Sequence, residues 1–268
     1  MKKLSRKEYD AIEALSQSDL KTILKSPLHF TKRKEMRKET DAMAFGTAFH
    51  LAVLEPQEFK RRYIVLPSEI DGKPVNKRLK AHKEWIENYK IENSDKICLD
   101  DDDMEKITGM LNSLASHETA MMLLTGGESE VSTTWDYRGH KCKGTIDKWH
   151  DKHELFGPTL VELKTARDAS SEEFGRETYN RLYDFQLAYY SEAVKPNRVF
   201  SVVVETSFPY PIAVYDMEQW LPIGKSRVDK AFDRYEYCQS SGSWNEGYTG
   251  SLDLLQPKSW IIAGLKEE

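Results

Sequence analysis

Two acidic residues and a lysine define the chemistry this chain could carry. In KGTIDKWHDKHELFGPTLVELKTA (Lys143–Ala166), Asp147 precedes a polar turn and Glu162-Leu163-Lys164 follows it. Alternation along a strand gives Glu162 and Lys164 one face, and Val161, Leu163 and Thr165 the other. If the two segments pair antiparallel across the turn His150–Pro158, Asp147 lies beside Glu162. Neighbouring carboxylates repel unless something positive sits between them. Hard oxygen ligands in twos and threes suit Mg²⁺ or Mn²⁺. A lysine two residues on can orient an attacking water and neutralise charge developing on phosphorus. Asp, a hairpin turn and E-x-K is thus a pattern of metal-dependent phosphodiester hydrolysis. It is also short, and most E-x-K triplets on strands are ordinary solvated faces.

A histidine joins this set from elsewhere. AMAFGTAFHLAVLE (Ala42–Glu55) reads as an apolar helix, with Ala42, Phe45, Phe49 and Val53 at helical spacing. Gly46 inside it lowers helix propensity by roughly 1 kcal/mol, which points to a close approach. His50 lies one turn further on the same face. Imidazole binds divalent metals well, although a lone histidine in an apolar helix is more often a packed or surface residue.

The elements that must position these groups form an α/β (α+β) pattern. Strands are expected at Glu130–Tyr137, His140–His150 (bearing Asp147) and Pro158–Thr165 (bearing Glu162 and Lys164). Arg198–Thr206 is a nearly continuous apolar run, read as a strand covered on both faces, with Ala213–Asp216 beside it. Ser171–Val194 reads as mostly helix, with Tyr183, Gln186 and Tyr190 along one face. Glu218–Gln239 is a long final helix, and the tail from Ser240 is loose. The N-terminal third is helical, with Ser16 and Ser18 as N-cap candidates and Pro27 and Pro56 opening helices. A basic helix is expected over Asn76–Ile91, flanked by strands at Ile64–Pro67 and Lys96–Leu99. Asp100–Asp103 suit a helix N-terminus, where the helix dipole favours negative charge. The organisation is one domain over 1–268, mainly helical to 125, with sheet and flanking helices over 126–239 and a tail over 240–268.

Composition bounds the remaining classes. A chain of 268 residues with 39% hydrophobic and 31% charged residues fits a soluble globular domain. No 18-residue apolar run and no signal-peptide core is present, so membrane and secretory classes are excluded and the expected location is the cytoplasm. Cys98, Cys142 and Cys238 are scattered, which fits a reducing compartment and falls short of the four thiolates of an iron–sulfur cluster. The net charge of −5 argues against nucleic acid only if charge is spread evenly. Residues 21–40 hold seven Lys/Arg against two acids, among them Lys32, Arg33, Lys34 and Arg37. Residues 73–90 add Lys77 and Arg78 among six more. These are either solvated helices or a phosphate-binding surface.

Taken together, four motifs resemble the exodeoxyribonuclease VIII-type (RecE-like) exonucleases of phages and prophages, in the RecB-like branch of the PD-(D/E)XK superfamily. They are GTAFHLAVLEPQEF (Gly46–Phe59), EVSTTW (Glu130–Trp135), KGTID with VELKTA (Lys143–Asp147, Val161–Ala166) and YDFQLAYY (Tyr183–Tyr190). With flanking elements they span Leu15 to about Asp216. The resemblance implies a PD-(D/E)XK nuclease core: a small mixed sheet flanked by helices, with a helical N-terminal region. It makes His50, Asp147, Glu162 and the Leu163 carbonyl metal ligands, and Lys164 the residue that positions the attacking water. Glu130 is similar to an additional acidic residue of RecB-like sites, and Gln186 and Tyr190 match the helix that contacts DNA and steadies the lysine.

The resemblance further implies two Mg²⁺ ions per subunit, with Mn²⁺ able to substitute, and 5′→3′ digestion of linear duplex DNA to leave 3′ overhangs for strand annealing. It implies a ring-shaped homotetramer and a single-strand annealing partner. Two alternatives stay open: a structure-specific or restriction-type endonuclease with the same site, and a catalytically silent DNA-binding protein on the same fold.

Overall fold

The structure is a computed structural model that describes residues 2–36, 40–70, 72–76, 78–248 and 254–256. Ser5 opens α1 (Arg6–Ala11) with a capping box to Glu8. β1 is only Leu15–Ser16 and runs directly into α2 (Gln17–Lys25). Ser16, expected as an N-cap, therefore pairs in a sheet. Ser26 caps α3 (Pro27–Thr31), and α4 is Arg33–Met36. Thr40 caps α5 (Asp41–Leu54), and Pro56 opens α6 (Pro56–Arg62). β2 (Tyr63–Val65) pairs parallel with β5 (Ile97–Leu99); β3 (Glu69–Ile70) and β4 (Lys73–Pro74) form a small hairpin.

α7 (Lys80–Glu92) begins four residues later than expected. Its predicted first turn is occupied instead by local bonds, Asn76 N–H to His82 Nδ1 and Arg78 N–H to Asn76 Oδ1. α8 (Asp101–Ala115) carries Asp101, Asp102 and Asp103 in its first turn, and α9 (Glu118–Leu124) follows.

β6 (Glu128–Tyr137), β7 (His140–His153) and β8 (Gly157–Ala166) form a meander. The strands run past the expected turn at His150–Pro158, absorbing it in a register shift between His150 and His153. α10 (Ser171–Asn180) and α11 (Tyr183–Val194) replace the single expected helix. The break is at Leu182, whose φ of 58° lies in the left-handed region and cannot continue a right-handed helix. β9 (Arg198–Glu205), β10 (Ile212–Asp216) and α12 (Leu221–Ser241) complete the elements.

The main sheet is six-stranded and mixed, in the order β1-β7-β8-β9-β10 with β6 also on β7. β8 and β9 are parallel, and β9 and β10 antiparallel. One edge of β7 is shared: β8 pairs with its later half as far as Lys148, and β1 with Cys142 and Lys143. Among the described residues, no strand pairs with Gly144–Asp147 on that edge. Val161, Leu163, Phe200, Val202 and Val204 fill one face against Phe49, Leu54, Met110, Leu114, Leu123 and Leu124 of α5, α8 and α9. Burying those side chains stabilises the fold by about 1.5–3 kcal/mol each. Glu162 and Lys164 point to the opposite face, where α11 lies.

Contacts divide the chain into two compact units, residues 1–17 with 38–229 and residues 18–37 with 230–268, where the sequence reading has one domain divided near 125 and 239. The whole main sheet belongs to the first unit. In the second, Phe30 packs against Tyr235 and Trp244, each at 5.5 Å between ring centroids. The Arg234 guanidinium donates to the Ile23 and Leu24 carbonyls. The tail expected to be loose thus contributes a half-buried tryptophan to this packing. No helix of the described residues is long and apolar enough to cross a membrane.

Candidate active site

The stretch of β7 left open on one edge is where the charged residues gather. The β7–β8 ladder ends at Lys148↔Val161. Just beyond it the Leu163 N–H donates to Asp147 Oδ2 at 2.9 Å, so the carboxylate takes the place of a ladder acceptor. On the other side of β7, Glu130 falls between the pairs Ser129↔Lys148 and Val131↔Ile146, level with Asp147. Glu130 has φ 53°, a left-handed conformation that costs a residue with a Cβ about 1–2 kcal/mol. Such strain concentrates at functional sites.

His50 arrives from α5, its Nδ1 3.7 Å from Asp147 Oδ2. Burial and the Lys164 charge push its pKa down to about 4, so the imidazole is neutral at physiological pH. The approach to Asp147 is then not an ion pair. One ligand atom each from His50, Glu130 and Asp147 lies within 4.8 Å of the others, a spread that a cation with bonds of about 2.1–2.6 Å spans.

Glu162 is 1% exposed. One of its oxygens accepts from both Lys164 Nζ and Gln186 Nε2. The other, Oε2, is buried with no hydrogen-bond partner, an arrangement that costs a polar group about 1–3 kcal/mol and more when it is charged. Burial and the Asp147 charge raise Glu162 to about 7, against the opposing pull of Lys164. Burial and then Asp147, Glu55 and Glu162 raise Glu130 to about 8, with Lys3 opposing. Burial likewise raises Asp147, although Lys164 and the Leu163 N–H oppose it. Burial alone would lower the Lys164 ammonium, but Glu162 and Asp147 outweigh it and hold it above its ordinary value. An orphaned carboxylate oxygen, mutually repelling acids and a neutral imidazole fit a divalent cation with oxygen-rich ligands.

The structure therefore brings His50, Glu130, Asp147, Glu162, Lys164 and Gln186 into one cluster. The Leu163 backbone touches it twice, through its N–H to Asp147 and a hydrogen bond with the His50 ring. Tyr190 is buried, and its pKa is raised well above the ordinary value by burial and then by Glu162 and neighbours that include Asp147 and Glu130. Its ring lies on Gly144, where an added Cβ would fall 2.6 Å from Tyr190 Cε1. Gly46, expected to allow a close approach, faces Thr165 Oγ1, and a Cβ there would sit at an ordinary 3.6 Å. Packing does not demand glycine at 46.

Among the described residues, the basic candidates Lys32, Arg33, Lys34 and Arg78 make no bond to this cluster. Lys32 pairs with Glu35, and Arg33 is committed to Asp19 Oδ1, the Phe30 carbonyl and the Phe30 ring. Lys34 and Arg78 are exposed, whereas Arg37 and Lys77 lie outside the described residues. In α7 the expected positive stripe is offset by Lys80–Glu84 and Lys90–Glu87 pairs.

Sequence reasoning missed three supports. The Lys164 ammonium sits 5.0 Å from the Tyr183 ring centroid, which the tyrosine's place in the Tyr183–Tyr190 motif could have signalled. Lys143 is buried and donates to the Tyr9 and Ile12 carbonyls, tying the N-terminal segment to the start of the site strand. Lys3 pairs with Glu55, and both act on Glu130; no local pattern marks either.

With this geometry in place, comparison with known proteins is informative. Residues 16–257 match the family described as PDDEXK-like domain of unknown function (DUF3799). The chain belongs to this family. Membership places it in the PD-(D/E)XK nuclease superfamily, as the motifs implied, although the family is not specifically the exodeoxyribonuclease VIII type. The crystal structure of a candidate exonuclease from Eubacterium rectale is similar to the chain, with 13% identity, 98% of each chain covered and a TM-score of 0.58, which supports the shared fold. SSO0001 (15% identity, 81% of this chain and 85% of that one, TM-score 0.32) and Rai1 of Scheffersomyces stipitis (10%, 86% and 68%, 0.29) are too distant to carry an argument. No curated protein matches the chain.

Proposed function

We propose that this family member is a metal-dependent exodeoxyribonuclease that digests one strand of linear duplex DNA from its 5′ end, leaving 3′ overhangs for strand annealing. The observation that carries the reading is the buried Glu162 carboxylate, its Oε2 without a donor and its other oxygen on the Lys164 ammonium, in the same electrostatic cluster as the His50, Glu130 and Asp147 ligand atoms. The name of the Eubacterium rectale protein points the same way.

His50, Asp147, Glu162 and the Leu163 carbonyl would hold Mg²⁺, or Mn²⁺ in its place, with Glu130 as an additional donor and two ions per subunit. When bound, the metal supplies the positive charge that acidifies an attacking water and offsets charge on the scissile phosphate. Lys164 has its proton secured by two carboxylates, so it can donate hydrogen bonds to water and phosphate without losing charge. Gln186 holds Glu162 in one orientation, and Tyr190 closes the site floor. Lys32, Lys34, Arg37, Lys77 and Arg78 are the candidates for phosphate contacts, and residues 1–268 are read as one exonuclease domain.

A ring-shaped homotetramer would let an acidic chain keep hold of DNA, its basic residues facing a channel. A single-strand annealing protein would be its partner in a bacterial cytoplasm. The test is digestion of a linear duplex labelled separately at its 5′ and 3′ ends, with closed circular plasmid alongside. Early loss of the 5′ label with intact plasmid is expected. Plasmid cutting would favour the endonuclease reading, and no nucleotide release with Mg²⁺ or Mn²⁺ the silent one.

A further inference from the structure

β8 carries Glu162 and Lys164 and ends at Ala166, level with Glu205 at the end of parallel β9. The Thr206 N–H donates to the Ala166 carbonyl at 3.0 Å. The segment after β8, starting at Arg167, and the turn between β9 and β10 therefore leave the sheet from one edge. At a strand rise of about 3.3 Å per residue, Arg167 begins about 10 Å beyond Lys164.

Phe208 projects from this turn, 85% exposed. A single exposed apolar residue is ordinary, but here the turn around it is built to hold. The Tyr210 N–H donates to the Ser207 carbonyl at 2.7 Å, and the Tyr210 carbonyl accepts from Ser113 Oγ at 2.6 Å. The Tyr210 ring lies so close on Gly109 that a Cβ there would be 2.2 Å from it. Phe208 meets Tyr210 edge to face, 6.1 Å between centroids and 86° between planes, and at 85% exposure keeps at least one face of its ring open.

The charges at this edge are also sorted. Arg167 is exposed and makes no hydrogen bond or ion pair among the described residues. The nearby acids are turned onto loop amides, Asp168 to the Ser170 N–H at 2.8 Å and Glu205 to the Ala169 N–H at 2.7 Å. An open aromatic ring on one segment and an uncommitted guanidinium on the segment bonded beside it are the two kinds of group with which proteins grip single-stranded nucleic acid, by base stacking and phosphate contact.

We propose that Phe208 and Arg167 form a docking point for an unpaired nucleotide at the strand ends beyond Lys164, with the base stacked on Phe208 and its phosphate on Arg167. This rests on the nuclease reading above. The test uses the full-length protein in EDTA with a single-stranded oligonucleotide carrying 2-aminopurine, and so does not depend on cleavage. Phe208→Ala should weaken binding about 5- to 100-fold, the range for losing one stacked base, and abolish the stacking change in 2-aminopurine fluorescence.

Phe208→Trp should retain both, while Phe208→Leu should lose them. Arg167→Ala should lower the slope of log affinity against log salt by about 0.7, one phosphate contact on a single strand. Unchanged binding and fluorescence in Phe208→Ala, or wild-type behaviour in Phe208→Leu, would overturn the proposal. So would a change only in oligomeric state by light scattering, which would make Phe208 a contact between copies. A parallel digestion of labelled duplex with Mg²⁺ reports on the nuclease reading separately, since stacking is scored without metal.

Discussion

Lys164 donates to a carboxylate that Gln186 also holds, and its ammonium lies by the Tyr183 ring. Removing it deletes charge at the site while Gln186 still anchors Glu162, which can take up a proton in place of the lost cation. Lys164→Ala is therefore expected to lower kcat by at least about 10²-fold, with folding and DNA affinity largely kept. Single-turnover digestion beside a binding isotherm checks both halves, and wild-type turnover would refute the role. Asp147 meets His50, Glu130 and the Leu163 N–H together. For Asp147→Ala, the expected outcome is loss of Mn²⁺ binding by calorimetry as well as loss of cleavage; retained stoichiometric binding would remove Asp147 from the ligand set.

At the scale of elements, the site depends on where α11 sits. Asp184, fully buried in its first turn, pairs with Arg227 of α12 at 2.9 Å. Gly224 lets α12 approach so closely that a Cβ there would fall 2.0 Å from the Asp184 carbonyl oxygen. That neighbour is backbone and cannot swing aside. Breaking the pair with Arg227→Ala should cost about 3–5 kcal/mol, read from urea unfolding, because it strands a buried charge. Gly224→Ala should cost about 1–3 kcal/mol or more through overpacking. Since Gln186 is two residues from Asp184, both variants should also lose activity before they unfold. Full activity in a destabilised Gly224→Ala would mean that α11 does not need this crossing to present Gln186.

For the whole molecule, ion binding and assembly are the measurable consequences. A folded state that binds a cation its unfolded chain does not is stabilised by about 2.7 kcal/mol at a hundredfold excess over Kd. Millimolar Mn²⁺ should therefore raise Tm in the wild type and not in Asp147→Ala. An equal rise in both would place the ion elsewhere. Net charge −5 makes a monomer a poor candidate for sustained hold on DNA. Light scattering near physiological salt should give a tetramer, and monomer alone would count against a ring.

The sequence by itself determined the longer strands, the acidic residues they carry and the E-x-K lysine, because period-two alternation and residue chemistry are local. The small mixed sheet with flanking helices was implied by the resemblance of the four motifs, and Pro27 and Pro56 stood where helices begin. Only the tertiary structure decided how His50 reaches Asp147. That depends on β1 and β8 sharing one edge of β7 and leaving a gap, a property of three strands that no window of sequence contains. Glu130, by contrast, comes level with Asp147 through the short turn between β6 and β7. The left-handed backbone at Glu130 and Leu182 was equally hidden, because neither residue type favours it and only surrounding contacts enforce it. The basic segments read as one charge pattern in the sequence, yet the fold commits Arg33 to Asp19 and Phe30 and offsets the lysines of α7 with neighbouring acids. Side-chain partners, unlike side-chain types, exist only once the chain has folded.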